Sequence, residues 1–237
     1  RGLGDVYKRQ PVDFVSRLLG DFNHSNIKAA ICVLRSLGIS QPLICKTLSS
    51  CSAPRGRLEE VALGQSLMVL IDYAHTPDAL GNVLGTVKKI ASERNGRLLV
   101  MFGCGGNRDR GKRPKMGKIA SRFADFLVVT DDNPRLEDSN KIISEIVNGL
   151  APGFTDYVVI QSRREAIEFI LGKGQDGDVV LLAGKGHETQ QIVGSEEIHF
   201  DDREEARRVI GQIQTAENIA VQTKASTMPD PPWAKIK

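Results

Sequence analysis

The stretch Arg97-Leu98-Leu99-Val100-Met101-Phe102-Gly103-Cys104-Gly105-Gly106-Asn107-Arg108-Asp109-Arg110-Gly111-Lys112-Arg113-Pro114 joins an uninterrupted apolar run to a loop dense in glycine and cations. An apolar run without polar alternation fits a strand covered on both faces, as strands of a parallel sheet are. Residues 115–123 then return to helical spacing. The same order recurs along the chain: short apolar runs at 66–72, 126–130, 157–160 and 179–183, with helical segments at 77–94, 139–149 and 162–171. Strands alternating with helices predict an α/β fold, an open, mostly parallel sheet with helices on both faces.

Outward from this region the texture changes. Residues 23–37 carry apolar side chains at helical spacing, with Gly38 as a stop, and a second short helix begins near Gln41. Ser52-Ala53-Pro54-Arg55-Gly56-Arg57 breaks that pattern and marks the internal boundary. A small hairpin is expected around Ile192-Val193 and residues 197–200, then a last helix over 202–212. Residues 215–237, ending in a proline-rich segment around Trp233, read as a flexible tail. Residues 1–10 show neither period and no leader pattern; they are expected to be a non-native or disordered start.

The chain has 237 residues, about one and a half domains on a scale of roughly 150 residues each. No apolar run approaches the ~20 residues needed to span a bilayer. A net charge of +3 is too small for a dedicated nucleic-acid binder but suits an anionic small molecule. Cys32, Cys45, Cys51 and Cys104 form no CxxC pair or metal spacing.

Ligands of open α/β sheets gather at the carboxyl ends of the strands, and four such ends are chemically rich here. Asp72-Tyr73-Ala74-His75-Thr76-Pro77 reads as a helix entry with Thr76 as cap; Asp72 and His75 are either a hydrogen-bonded polar pair or a nucleotide contact. The Gly103–Pro114 loop matches GxxxxGK from Gly106 to Lys112, but Arg113 stands where Ser or Thr would hold magnesium. Its cations favour carboxylate or phosphate, with a solvated charge run as the alternative. In Asp131-Asp132-Asn133-Pro134-Arg135, Arg135 is either part of a plain turn or a fork for a carboxylate. In Gly184-Lys185-Gly186-His187-Glu188, the glycines admit a ligand near the backbone and Glu188 suits an amino group.

Taken in order, these four motifs resemble the C-terminal domain of the bacterial Mur ligases, closest to the members that add meso-diaminopimelate; the resemblance covers roughly residues 20–211. It implies a Rossmann-like domain at 57–214, preceded at 11–56 by a helical remnant of the central ATP-binding domain. The implied activity is ATP-dependent ligation in peptidoglycan precursor synthesis. ATP phosphorylates the D-glutamate carboxylate of UDP-N-acetylmuramoyl-L-alanyl-D-glutamate, and the amine of meso-diaminopimelate displaces phosphate from the acyl phosphate. By motif, Arg108, Asp132, Asn133, Pro134, Arg135, Gly184 and Glu188 resemble the diaminopimelate site. Asn23, Asn26, Arg57, Asp72, Tyr73 and His75 resemble nucleotide-facing positions. The implied cofactors are ATP and Mg²⁺, with magnesium ligands mainly upstream. The implied setting is a cytoplasmic monomer acting on small molecules, without nucleic acid or membrane, or a plastid protein in a photosynthetic eukaryote.

The sequence departs from the family pattern in lacking a complete GK[ST] phosphate loop and a UDP-binding region. The chain is therefore expected to be a fragment, inactive alone and carrying no catalytic residue. The alternative is a non-catalytic plastid-type homologue serving as a scaffold or assembly subunit. A dinucleotide oxidoreductase is rejected, because Asp72-Tyr73-Ala74-His75 occupies the place that GxGxxG would need.

Overall fold

The computed structural model describes residues 15, 16 and 18–226. Five apolar runs form parallel strands, all but the edge strand β5 largely buried: β2 (Met68–Asp72), β3 (Leu98–Phe102), β4 (Phe126–Val129), β5 (Tyr157–Val159) and β6 (Val179–Ala183). A two-residue strand, β1 (Glu59–Glu60), adds antiparallel to β2, giving the order β1-β2-β6-β3-β4-β5. Strand β1 lies outside the sequence expectation because two glutamates carry no apolar signal. The alternating pleat of the strands divides the core in two.

On one face, Leu70, Val100, Phe102, Leu127 and Leu181 pack against α3 (Pro77–Glu93), α4 (Lys112–Phe123) and α5 (Ser139–Val147). On the other, Val69, Met101, Val128 and Leu182 meet α6 (Arg163–Lys173) and α7 (Asp202–Ser226). A one-residue slip of any central strand would exchange these two sets, so the register is tightly specified. Two earlier helices, α1 (Asp21–Ser36) and α2 (Gln41–Ser50), close on a separate small cluster of Ile27, Ile44 and Leu48. Gly38, at φ +81°, ends α1 as expected, its N–H donating to Arg35 O at 3.0 Å.

Two boundaries differ from the sequence reading. Helix α4 begins at Lys112 rather than 115, because Pro114 falls in the first turn, where its missing N–H is harmless. Lys112 and Arg113 are therefore helical residues. Helix α7 continues to Ser226, so residues 215–226 are not a loose tail: Thr215 to Ser226 contain no glycine or proline to stop the helix. The proline-rich end from 227 and the start at 1–10 lie outside the described residues. The hairpin forms as β7 (Gln190–Val193) paired with β8 (Glu196–His199).

Candidate functional site

Because β2, β6, β3 and β4 are adjacent and parallel, the four loops leaving them open on one edge of the sheet. They enclose a cleft of about 410 Å³ lined by Tyr73, His75 and Thr76 after β2 and by Gly105, Arg108, Asp109 and Lys112 after β3. Asp132, Asn133 and Arg135 after β4, and Gly184 and Glu188 after β6, complete it. A larger groove of about 720 Å³ lies between α6 and the hairpin, away from Arg108, Arg135 and Glu188.

The loops interlock too closely for side chains at some positions. A Cβ on Gly106 would stand 1.8 Å from Pro134 O, so only glycine lets the two loops touch. Gly106 N donates to Asn133 O at 2.9 Å, and Asn107 N donates to Glu137 Oε2 at 3.0 Å. Arg135 sits at φ +54°, uncommon for a residue with a side chain. The hairpin holds it there: Arg135 N donates to Ile192 O at 3.0 Å and Gly194 N donates to Arg135 O at 2.8 Å. Its guanidinium turns toward the glycine loop, with Nη1 3.0 Å from Gly106 O.

The loop's cations do different things. Arg113 is fully buried and donates to Glu137 at 2.7 Å and to Glu145 at 2.8 Å, while Arg110 Nε donates to Glu145 at 3.0 Å. These two are neutralised within the protein, so the loop does not present four cations to a ligand. The Glu137 carboxyl is held down to about 2, first by the Arg113 hydrogen bonds and then by the Asn107 N–H. Arg108, Lys112 and Arg135, all lining the cleft, meet no carboxylate among the described residues. Arg108 donates to Asn107 O at 3.3 Å and Lys112 Nζ to His75 O at 2.8 Å.

Two carboxylates of the cleft gather around Lys185. Glu188 Oε2 accepts from Asn133 Nδ2 at 2.9 Å and from Lys185 Nζ at 3.3 Å. Asp132 Oδ1 is buried without a hydrogen-bond partner among the described residues, 3.8 Å from Lys185 Nζ. From behind, fully buried Arg163 pairs with Asp202 and donates to Asp131 O and Ala183 O, at 3.3 and 3.1 Å, fixing the roots of two loops. Burial raises the Asp131 carboxyl. It also pushes the Cys104 thiol up to about 12, leaving it a packing residue without thiolate character at neutral pH.

The remaining expected positions fall into two groups. Tyr73 and His75 line the cleft, their rings 4.6 Å apart, and the Arg57 guanidinium lies 5.2 Å over the Tyr73 ring. Asp72 points inward. Its carboxylate accepts Leu58 N–H and Ala74 N–H, both at 2.8 Å, and burial raises it. It does not pair with His75, which contacts Tyr73 O instead. Asn23 is buried in α1, donating to Leu19 O at 2.7 Å and accepting from Asn26 at 3.3 Å. Pro134 packs on Gly106 and is not in the cleft wall. Lys112, Thr76 and Lys185 are not named as ligand-binding positions from the sequence, although Thr76 reads as a cap and Lys112 as the end of the GxxxxGK match. A lysine between two glycines after an all-apolar strand was the available signal for Lys185.

The profile of the Mur ligase glutamate ligase domain matches residues 56–186, more than half of the chain. The chain belongs to the Mur ligase family. A UDP-N-acetylmuramoyl-L-alanyl-D-glutamate–2,6-diaminopimelate ligase of Geobacter metallireducens is 47% identical over 219 residues, covering 86% of this chain and 42% of that protein. The ligase of the same name from Geobacillus thermodenitrificans is 47% identical over 195 residues, covering 82% and 39%. A solved structure of a ligase of that name superposes with TM-score 0.68 at 37% identity, over 85% of this chain and 40% of its own. Folylpolyglutamate synthase of Thermotoga maritima, at 20% identity and TM-score 0.56, shares the fold. The chain thus spans about two fifths of the length of these relatives. They lend no support to the scaffold or plastid readings. No helix among the described residues is long and apolar enough to cross a membrane.

Proposed function

We propose that this chain is the amino-acid-selecting part of an ATP-dependent ligase that adds meso-diaminopimelate to UDP-N-acetylmuramoyl-L-alanyl-D-glutamate. The observation that carries this reading is one cleft lined both by cations that meet no carboxylate among the described residues and by an under-compensated pair of carboxylates. Arg108 and Arg135 suit a carboxylate; Glu188, with Asp132 behind it, suits an ammonium. A single amino acid with both groups at its far end fits a cleft that offers both charges. Lysine offers an ammonium there but no carboxylate, so two arginines would go unused. Residues 57–214 form the selecting domain in this reading, and 11–56 the closing part of a central ATP-binding domain, in a cytoplasmic monomer.

ATP, bound elsewhere in the whole ligase, would supply the phosphoryl group that activates the acceptor carboxylate. The Tyr73 face, with Arg57 and His75 beside it and Lys112 bonded to His75 O, fits an anionic nucleotide closing onto this domain. Asp72 would act there only by shaping its loop, while Asn23 and Asn26 are engaged within α1. Magnesium does not fit a set of ligands in this chain: no cluster of three or more His, Cys, Asp or Glu suited to a metal occurs among the described residues. What the chain's own residues do is select the amino acid and orient its free amine toward the activated carboxylate.

The test is an NMR titration of the chain with meso-diaminopimelate and with L-lysine. Diaminopimelate is expected to bind more tightly and to shift the Arg108 and Arg135 side-chain signals. Equal binding of lysine, or no binding of diaminopimelate, overturns the reading.

A further inference from the structure

We infer that Lys185 is a positioning residue that sets the ammonium-recognising half of the cleft without touching the ligand. This rests on the amino-acid-binding reading above and adds to it how the carboxylate wall is held in a receptive state.

The local sequence drives the lysine inward. Gly184 and Gly186 take φ of +111° and +53°, and a Cβ on Gly186 would lie 2.6 Å from the Tyr73 side chain. The chain therefore turns tightly against the β2 loop, and Glu188 N–H closes back onto Lys185 O at 2.9 Å. The result is a lysine side chain with no solvent exposure, beneath a glutamate that remains one-third exposed. A buried ammonium is unfavourable unless its protons are taken up. Here Nζ donates to Asn133 Oδ1 at 3.0 Å and to Glu188 Oε2 at 3.3 Å, with Asp132 Oδ1 at 3.8 Å.

These contacts have a directional consequence. Asn133 Oδ1 accepts from Lys185 and also from Ile192 N–H at 3.1 Å, so its amide cannot flip, and Nδ2 is left to hold Glu188. Both inward contacts engage Glu188 Oε2, and among the described residues nothing hydrogen-bonds Oε1, which is left to a ligand. Arg163 behind the cluster is matched by its own Asp202, so in direct contact one cation faces two carboxylates, and the cluster carries one net negative charge and is completed by one ligand ammonium. Without the lysine, Asp132 and Glu188 repel each other, and the more exposed Glu188 swings out to water. The ammonium then loses its clamp even though the pocket is formally more negative.

The experiment compares Lys185→Met with the unchanged chain for two ligands: meso-diaminopimelate and 2-aminopimelate, the same chain without the second amino group. The variant is expected to bind diaminopimelate about tenfold or more weakly, in line with removal of one partner from a buried hydrogen-bonded charge cluster. Binding of 2-aminopimelate should change little, so the preference between the two ligands collapses. A merely structural lysine would weaken both alike. Lys185→Arg, which keeps the charge, should recover part of the preference. Equal loss for both ligands, or unchanged or tighter diaminopimelate binding, overturns the inference. If Lys185→Met does not fold, the decision passes to Lys185→Gln, which is neutral and polar and so still leaves Asp132 and Glu188 to repel each other; retained preference there overturns the inference and lost preference supports it. Failure of the unchanged chain to bind diaminopimelate overturns the underlying reading and the inference with it.

Discussion

Arg113 and Lys185 are both buried cations set between two carboxylates, yet they belong to different kinds of structure. Around Arg113 the charges balance: Arg113 and Arg110 face Glu137 and Glu145, and Arg113 contacts both glutamates directly. Around Lys185 they do not: one ammonium faces Asp132 and Glu188, and an Asp132 oxygen stays without a hydrogen bond among the described residues. The balanced cluster ties α4 and α5 to the loop after β4 and leaves nothing for a ligand. The unbalanced one, built from Asp132 in that loop and from Lys185 and Glu188 in the loop after β6, keeps charge in reserve on the cleft wall. Net charge compensation, more than burial, separates scaffold from site here.

The comparison can be broken most forcefully at Arg113. Arg113→Met leaves two glutamates facing each other and should destabilise the chain by about 3–5 kcal/mol in denaturant titration. A loss under about 1 kcal/mol would mean that the balanced cluster is not a structural tie. Next in size is Arg135→Ala. It should weaken diaminopimelate binding roughly tenfold or more, the scale of a charged hydrogen-bond pair, with little change in thermal unfolding. A variant that unfolds early but binds normally would place Arg135 with the scaffold instead.

A smaller effect concerns acid. Glu137 titrates lower in the folded chain than the ordinary carboxylate value of 4.5, so its contribution is full above that value and fades as pH falls toward about 2. Glu137→Gln should therefore begin less stable at neutral pH and lose less stability between pH 4.5 and 2; parallel acid curves would contradict the assignment. The smallest change is expected at His199, whose exposed pairing with Glu204 raises it above its usual 6.5. That contribution is present below 6.5 and is lost as pH rises through the raised value. His199→Ala should leave unfolding at pH 8 unchanged, and a clear shift there would give this surface pair a role it lacks on geometric grounds.

Much of the fold was legible because its signals are local. The five apolar runs, the Thr76 cap and the Gly38 stop each follow from residues close in sequence, and the parallel arrangement follows from strands without polar alternation. The common edge for four loops also follows, since parallel strands end on the same side. What remained hidden depended on partners far along the chain. Whether Arg113 faced a ligand or two glutamates required knowing that α5 brings Glu145 beside α4. Whether Asp72 faced a nucleotide required knowing that the Leu58 N–H would claim its carboxylate. Lys185 stood in plain view between two glycines, but its inward turn is set by contact with Tyr73.

The sequence by itself determined the alternation of strands and helices, the positions of the four chemically rich loops and the family they resemble, because periodicity and motif spacing are properties of neighbouring residues. Only the tertiary structure decided which charges are spent and which are kept. Neutralisation is a matter of ångströms between residues dozens of positions apart, and no linear pattern encodes those distances.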